Sequence, residues 1–563
     1  MSGKLLGGRA LSCTFKTWIL TAALGLSGLN SIGAQAQTFK VLFSGNTTNT
    51  IQNPSSETVA QGRDGNLYFT ATNGGTFYGT LFKTTPTGAT SVVNDIGYFV
   101  NSGATLGSDG NYYVTNQDGG PGGGCGFAGC GQIIKVTPTG TATVLYNFMG
   151  EGDGAGPQAA PIQAANGVFY GTASADGVSD NEGTAYSITS AGAFKLLHKF
   201  NGPTEGYTIP AGLVQGTDGN FYGATVYGGA NGDGTIFKMT PAGAVTVLHN
   251  FDGSDGAKGN WALVQDPNGN FYGATLSGGT YGYGVIYQIT STGTYTVLHN
   301  LNPAAGDGEI PGSQLTIGSD GNLYGVTASG NGGYAGNLYR ITTSGTFTPL
   351  YTFCQGGGDC TDGFGPSSPL KQNTNGVFYG STFSGGDYSC GNDTGCGTVY
   401  SLNTGLKPFA ALEMTSGKEG SEIGILGQGF TAATTVSFAG TPATSITLAG
   451  AKFLGVKVPA GALTGTVTVT TGSTALTSSL PFRVTPTIAS FSPTSGAPGT
   501  PVTITGTGLT QTTEVVFNGK KATITVNSDT QITATVPAAA TTGKIGLATK
   551  GGTAVSTTNF TVN

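Results

Sequence analysis

The sequence predicts an all-β protein: a seven-bladed β-propeller closed by an N-terminal strand, followed by two Ig-like β-sandwiches. Three observations carry that expectation. One phrase, a turn followed by an aromatic pair and small residues, recurs seven times between residues 64 and 379. A strand missing from its last copy is present near the start of the chain. A second duplication, at an offset of 78 to 79 residues, fills the C-terminal part.

The seven copies are DGNLYFTA from Asp64, DGNYYVTN from Asp109, NGVFYGTA from Asn166, DGNFYGAT from Asp218, NGNFYGAT from Asn268, DGNLYGVT from Asp320 and NGVFYGST from Asn375. Their second aromatics, Tyr68, Tyr113, Tyr170, Tyr222, Tyr272, Tyr324 and Tyr379, are 45 to 57 residues apart. A unit of that length cannot bury its apolar faces alone and must stack on its neighbours. Each unit holds four strand-like pieces. In the fourth copy they are LVQG, FYGAT, TIFKMT and VTVLHNF, separated by Gly, Asp and Pro turns. Four short antiparallel strands per unit describe a propeller blade. The third strand recurs seven times, the last copy being VYSLN from Val399, but no fourth strand follows it. FKVLF at residues 39–43 matches FKLLHKF at residues 194–200 and supplies that strand. Closure of the ring removes the exposed edges an open sheet would present.

The remaining composition bounds the class. The chain has 563 residues, 100 of them Gly and only 9% charged, yet aromatics reach 10% and are regularly placed, which favours a turn-rich β-protein over disorder. Residues 1–36 read as a secretory signal: Lys4, Arg9 and Lys16 precede or flank an apolar stretch, and Ala34-Gln35-Ala36 gives a small-x-small cleavage site. Cys13 lies before the apolar stretch, unlike a lipid-attachment cysteine. No later apolar run is long enough to span a membrane. The expected mature chain carries 19 basic and 28 acidic residues, a formal charge of −9 with no basic run, which argues against nucleic-acid binding. Its six cysteines form three close pairs, Cys125 with Cys130, Cys354 with Cys360, and Cys390 with Cys396. In an exported chain, this pattern points to local disulfides over zinc.

The phrases AGLVQGTDGNFYGAT (211–225) and GGANGDGTIFKMTPAG (228–243) resemble the Gloeo/Verruco, or GloVer, tandem repeat of exported bacterial proteins over about residues 38–407. The resemblance implies export and a propeller-like array, and brings no catalytic motif. After residue 407, Gly427 pairs with Gly506, Phe438 with Phe517 and Pro459 with Pro537 in two units rich in Thr and Val. IASFSPTSGAPGTPVTITGTGL (488–509) and VVFNGKKATITV (515–526) resemble the IPT/TIG family; the first unit departs from its opening pattern. That family implies spacers or contact modules on surface proteins, accessories of sugar-active enzymes, or parts of DNA-binding factors. The last use conflicts with export and acidity. The expected domains are thus a signal peptide (1–36), a propeller (37–407) and two Ig-like modules (408–484 and 485–563).

Antiparallel order places the short DGN and PTG/PAG turns on one face and the longer, variable, cysteine-bearing loops on the other. Binding residues concentrate on long loops held by a rigid scaffold. Asp153, Glu205, Asp255, Asp307 and Asp362, each followed by Gly, recur before the innermost strands. One reading is a carboxylate ring at the channel mouth for Ca²⁺ or a cationic ligand; the other is that each acid holds backbone amides of its own turn. Trp261 occupies a position filled by Ala160, Ala211, Ser313 and Ser368 elsewhere. It either stacks on a sugar with Lys258, Tyr281 and Tyr283, or plugs the channel or packs on the adjacent blade. His198, His249 and His299 share one outermost-strand position and are expected to be too far apart for one metal ion. No catalytic residue is assigned. The expected function is a secreted or cell-surface, non-enzymatic binding protein whose long-loop face takes a polysaccharide or an extracellular protein, without a required cofactor. The alternatives are a carbohydrate-active hydrolase or lyase using carboxylates on the same face, and a structural adhesin or matrix protein.

Overall fold

The computed structural model describes residues 37–46, 51–54, 58–74, 79–97, 100, 102–121, 124–125, 129–175, 182–329, 335–355, 358–390 and 394–563. The signal peptide expected at residues 1–36 lies outside them. Among the described residues, seven antiparallel sheets follow one another along residues 38–403, as the repeat predicts. Blade 4 is typical: Val214–Gln215 lies innermost, followed by Phe221–Ala224, Thr235–Met239 and the outermost Val245–Asn250. The middle strands are buried except at Lys238 because blades stack on both of their faces; the outermost strand is half-buried. In blades 1, 6 and 7 the innermost position is split into two pieces, such as Glu309–Pro311 and Thr316–Ile317 in blade 6.

The DGN phrase forms locally for a specific reason. Asp218 accepts the Asn220 amide at 3.1 Å and the Tyr222 hydroxyl at 2.8 Å, while Gly219 takes a left-handed φ of 82° that side-chain-bearing residues rarely adopt. The Tyr ring is thereby held against the first aromatic of the next blade. Tyr68 stacks on Tyr112 at 4.0 Å, Tyr113 on Phe169 at 3.8 Å and Tyr170 on Phe221 at 4.1 Å, and Tyr222 packs on Phe271 in a tilted arrangement at 4.0 Å. In blade 5 the acid is displaced to Asp266, which still accepts the Tyr272 hydroxyl at 3.0 Å. In blade 3 the glycine after the tyrosine leaves no room for a side chain: a Cβ at Gly171 would lie 2.4 Å from the Tyr186 hydroxyl.

Each pair of consecutive blades shares a buried core, and so do blades 7 and 1, where Tyr379 and Val399 pack with Leu67, Phe69 and Phe82. The ring is therefore closed. Thr38–Ser44 completes blade 7 by antiparallel pairing with Thr398–Asn403, and Phe39 stacks on Tyr351 of blade 6 at 3.8 Å. A glutamine at the end of the innermost strand accepts a backbone amide of the preceding blade, as Gln215 does from Ala165 at 2.9 Å and Gln265 from Thr217 at 2.9 Å. Gln61 makes the same bond to Thr374 at 2.9 Å, so the closing interface is built like the internal ones.

Two sandwiches follow. The first packs the sheet containing Glu422–Leu426 and Phe453–Lys457 on the sheet containing Thr435–Phe438 and Val467–Thr471. The second repeats the plan, with Pro501–Thr507 and Gln531–Thr535 facing Thr512–Phe517 and Gly543–Thr549. The duplication extends to ring pairs: Phe438 meets Phe482 edge-on at 5.2 Å, and Phe517 meets Phe560 at 5.0 Å.

Ring burial outweighs the hydroxyl bond in each interblade contact. Tyr222→Phe is expected to cost about 1 kcal/mol and Tyr222→Ala about 3 to 5 kcal/mol, read from urea denaturation. Equal losses would show that the hydroxyl, not the ring, carries the contact. Burial raises the pKa of Asp218, but hydrogen bonds from Lys238, Asn220 and Tyr222 outweigh it and hold the carboxyl at about 2 instead of 3.8. Its stabilisation is present above 3.8 and is lost as pH falls toward 2. Asp218→Asn should flatten that part of the acid unfolding curve.

Candidate functional site

The five acid-Gly residues are not brought into a ring at the channel mouth. Each lies beside the outermost strand of the blade that precedes it. Asp153 accepts the Tyr146 hydroxyl at 2.7 Å and the amides of Met149 and Gly150 at 3.1 and 3.0 Å. Asp362 accepts the Tyr351 hydroxyl at 2.7 Å and the Cys354 amide at 3.0 Å. Glu205, Asp255 and Asp307 each lie 2.8 Å from Nε2 of His198, His249 and His299, respectively. Acids and histidines that look like two sets in sequence thus form one repeated clamp between a connection and its strand. Several of its rings also stack on the next blade: His249 on Tyr295 at 4.0 Å and His299 on Phe347 at 4.6 Å. No group of three or more His, Cys, Asp and Glu side chains able to hold a metal occurs among the described residues.

The long-loop face carries the disulfides Cys125–Cys130, Cys354–Cys360 and Cys390–Cys396, paired locally as expected. Trp261 is half-buried, and its Nε1 donates to the Pro311 carbonyl at 2.9 Å, tying blade 5 to blade 6. The indole's polar edge is therefore already engaged. Lys258, at a left-handed φ of 62°, anchors its amide on the Asp233 carbonyl and sets its ammonium 5.8 Å from the Tyr227 ring. Tyr227 in turn stacks on Tyr207 at 5.6 Å. Tyr281 and Tyr283 stand in the loop between the two middle strands of blade 5, 52% and 39% exposed, and Tyr227 is 39% exposed. Sequence reasoning passed over Tyr207 and Tyr227, although the signal was present: blade 4 has Tyr227 where blade 5 has Ser277.

The opposite, short-turn face is covered in part by the first sandwich. Arg63, in the DGN turn of blade 1, makes a bidentate pair with Glu413 at 2.7 and 2.8 Å and lies 4.2 Å from the Phe453 ring. The Glu413 side chain is only 2% exposed; burial pushes its pKa up, opposed by Arg63. Thr374 of blade 7 receives Gln428 Nε2 at 2.8 Å and accepts the Phe409 amide at 3.0 Å. Between this sandwich and the innermost strands lies a cavity of about 490 Å³ whose charged lining residues are Asp266, Lys371 and Arg483. Its lining is drawn from single positions of several blades and of the sandwich, so no repeat in the sequence marks it.

The profile of the Gloeobacter/Verrucomicrobia repeat matches residues 31–215 and 159–393, more than half of the chain. The chain belongs to the Gloeobacter/Verrucomicrobia repeat family. In this repeat-family member the IPT/TIG domain profile matches residues 486–562, the second sandwich. No curated protein matches the chain. Among solved structures it is similar to a putative gluconolactonase at 11% identity, covering 66% of this chain and 94% of that one with a TM-score of 0.35. It is also similar to a fungal alcohol oxidase of the AA5 family at 13% identity, covering 93% and 98% with a TM-score of 0.41. A surface glycan-binding protein from Prevotella bryantii is 22% identical over 26% of this chain and 38% of its own, with a TM-score of 0.21. Scores this low carry no argument about ligand or chemistry.

Removing Arg63 leaves the buried Glu413 carboxylate uncompensated. Arg63→Met is expected to cost about 3 kcal/mol near neutral pH. Without Arg63 the folded state favours neutral Glu413, so stability should fall as pH rises through the ordinary glutamate range, and the loss should be smaller in mild acid. Denaturation curves at both pH values test this; a pH-independent loss would contradict it.

Proposed function

We propose that this protein is an exported, non-enzymatic binding protein whose propeller offers its long-loop face to a ligand, with the Ig-like modules as spacers. The observation that carries this reading is the docking of the first sandwich on the short-turn face through the Arg63–Glu413 pair, whose carboxylate is buried. That attachment orients the long-loop face away from the spacer. On it, Tyr227, Tyr281 and Tyr283 are flat, amphipathic and exposed, and Lys258 adds a cation beside Tyr227. Aromatic rings with one wet edge suit stacking on sugar faces, which favours a polysaccharide over a protein ligand. Three local disulfides fit an oxidising compartment.

The test uses purified residues 37–563 against a panel of soluble polysaccharides, measuring both binding and released reducing ends. The expected result is saturable binding of at least one polysaccharide without product release, weakened about tenfold or more in Tyr281→Ala/Tyr283→Ala. Trp261→Phe should lower stability by about 1 kcal/mol through its lost bond and leave affinity unchanged. Product release would establish the hydrolase or lyase alternative instead. Unaltered affinity in the double tyrosine variant would remove the site from this face.

A further inference from the structure

The channel cavity has features that the long-loop reading does not use. Lys371 sits in the innermost strand of blade 7, opposite Tyr379 in register. The corresponding positions of the other blades hold Ala60, Thr105, Ile162, Val214, Val264 and Thr316, all uncharged. A single blade therefore places an ammonium at a position that is uncharged in the other six. Burial holds the pKa of Lys371 below the usual lysine range, and among the described residues no acid pairs with it. The second cation, Arg483, comes from a different domain: its strand, Arg483–Val484, pairs in parallel with Ser416–Gly417 of the first sandwich, and the Asp218 carboxylate of the blade 4 turn lies within electrostatic reach of it. The acid in the lining, Asp266, is already engaged by the Tyr272 hydroxyl and by the amides of Asn268 and Asn270.

Lys371 is half-buried and has no acidic partner among the described residues, so an anion entering the cavity would gain a charge-assisted contact there. The cavity, about 490 Å³, is of the size that encloses small organic molecules, and Leu213, Leu263, Leu315 and Leu370 make much of its wall apolar. We propose that this cavity binds a small amphiphilic carboxylate, its anionic head held by Lys371 and Arg483 and its apolar body against the innermost strands. Because the two cations come from the propeller and the sandwich, the site exists only while the domains are docked. A ligand of this kind strengthens the docking by binding the assembled form alone. The site is separate from the long-loop face, so neither reading depends on the other.

Isothermal titration calorimetry on residues 37–563 tests the proposal with octanoate and 4-phenylbutyrate as probes, and octanamide and inorganic sulfate as controls. Saturable binding of either carboxylate, with little or none of octanamide or sulfate, is expected. Lys371→Val, which installs the residue found at positions 214 and 264, should weaken that binding about tenfold to a hundredfold, as should Arg483→Met. Lys371→Val should also raise the melting temperature of the ligand-free protein, so weakened binding cannot be ascribed to misfolding. Tyr281→Ala/Tyr283→Ala should bind the carboxylates as the parent does. Absence of binding to both carboxylates, equal binding of octanamide or sulfate, or parental affinity in either cation variant would each overturn the proposal.

Discussion

The structure depends on one contact repeated around a ring: the tyrosine of each turn phrase pressed against the first apolar residue of the next blade. A blade is a small twisted sheet with two apolar faces, and neither face is satisfied within the blade. The Asx turn fixes the tyrosine by its hydroxyl, and the left-handed glycine lets the chain reverse tightly enough to aim it. Tyr324 on Phe378 and Tyr222 on Phe271 are the same contact at different places in the ring. Where the next blade offers leucine in place of an aromatic, as Leu323 does to Tyr272 and Leu67 to Tyr379, burial alone maintains the interface. The last blade would have a free edge and the first an uncovered face without the N-terminal strand. Thr38–Ser44 removes the edge, while the Gln61–Thr374 bonds repeat the internal interblade linkage at the seam.

Once closed, the ring has two unlike faces, and the first sandwich distinguishes them further. Its contacts fall on the short turns of blades 7 and 1, where Arg63 reaches out of a DGN turn to a carboxylate that is almost wholly buried. Short turns suit this role because they are rigid and nearly alike. The same docking turns one end of the channel into a cavity shared between domains and leaves the disulfide-bearing loops at the other end. A single attachment thereby sets the direction of the long-loop face and creates the setting in which Lys371 and Arg483 meet one volume.

The acid-Gly residues show how a periodic signal is misplaced. Their spacing is real, but periodicity states only that each acid does the same thing in each blade. In the structure that task is to receive the His or Tyr of the outermost strand and the amides of the connection, as Asp255 does for His249 and the Asp252 amide. Acid and partner are separated by six to eleven residues across a connection of variable length, so neither spacing nor residue type linked them in advance. Trp261 is the converse case. It departs from the repeat as a binding residue would, yet its indole N–H is occupied by Pro311 of the next blade.

By itself, the sequence determined the number of blades, the seam, the duplication of the sandwiches and the pairing of the cysteines. Each of these follows from patterns repeated at fixed intervals or from residues close along the chain, where turn chemistry and strand alternation act locally. Tertiary structure alone decided which face the sandwich occupies, what the acids and Trp261 touch, and that Lys371 and Arg483, over a hundred residues apart, line one cavity. The physical reason is that these are single contacts between surfaces brought together by packing. They occur once, so no period announces them, and their partners are chosen by the geometry of the closed ring.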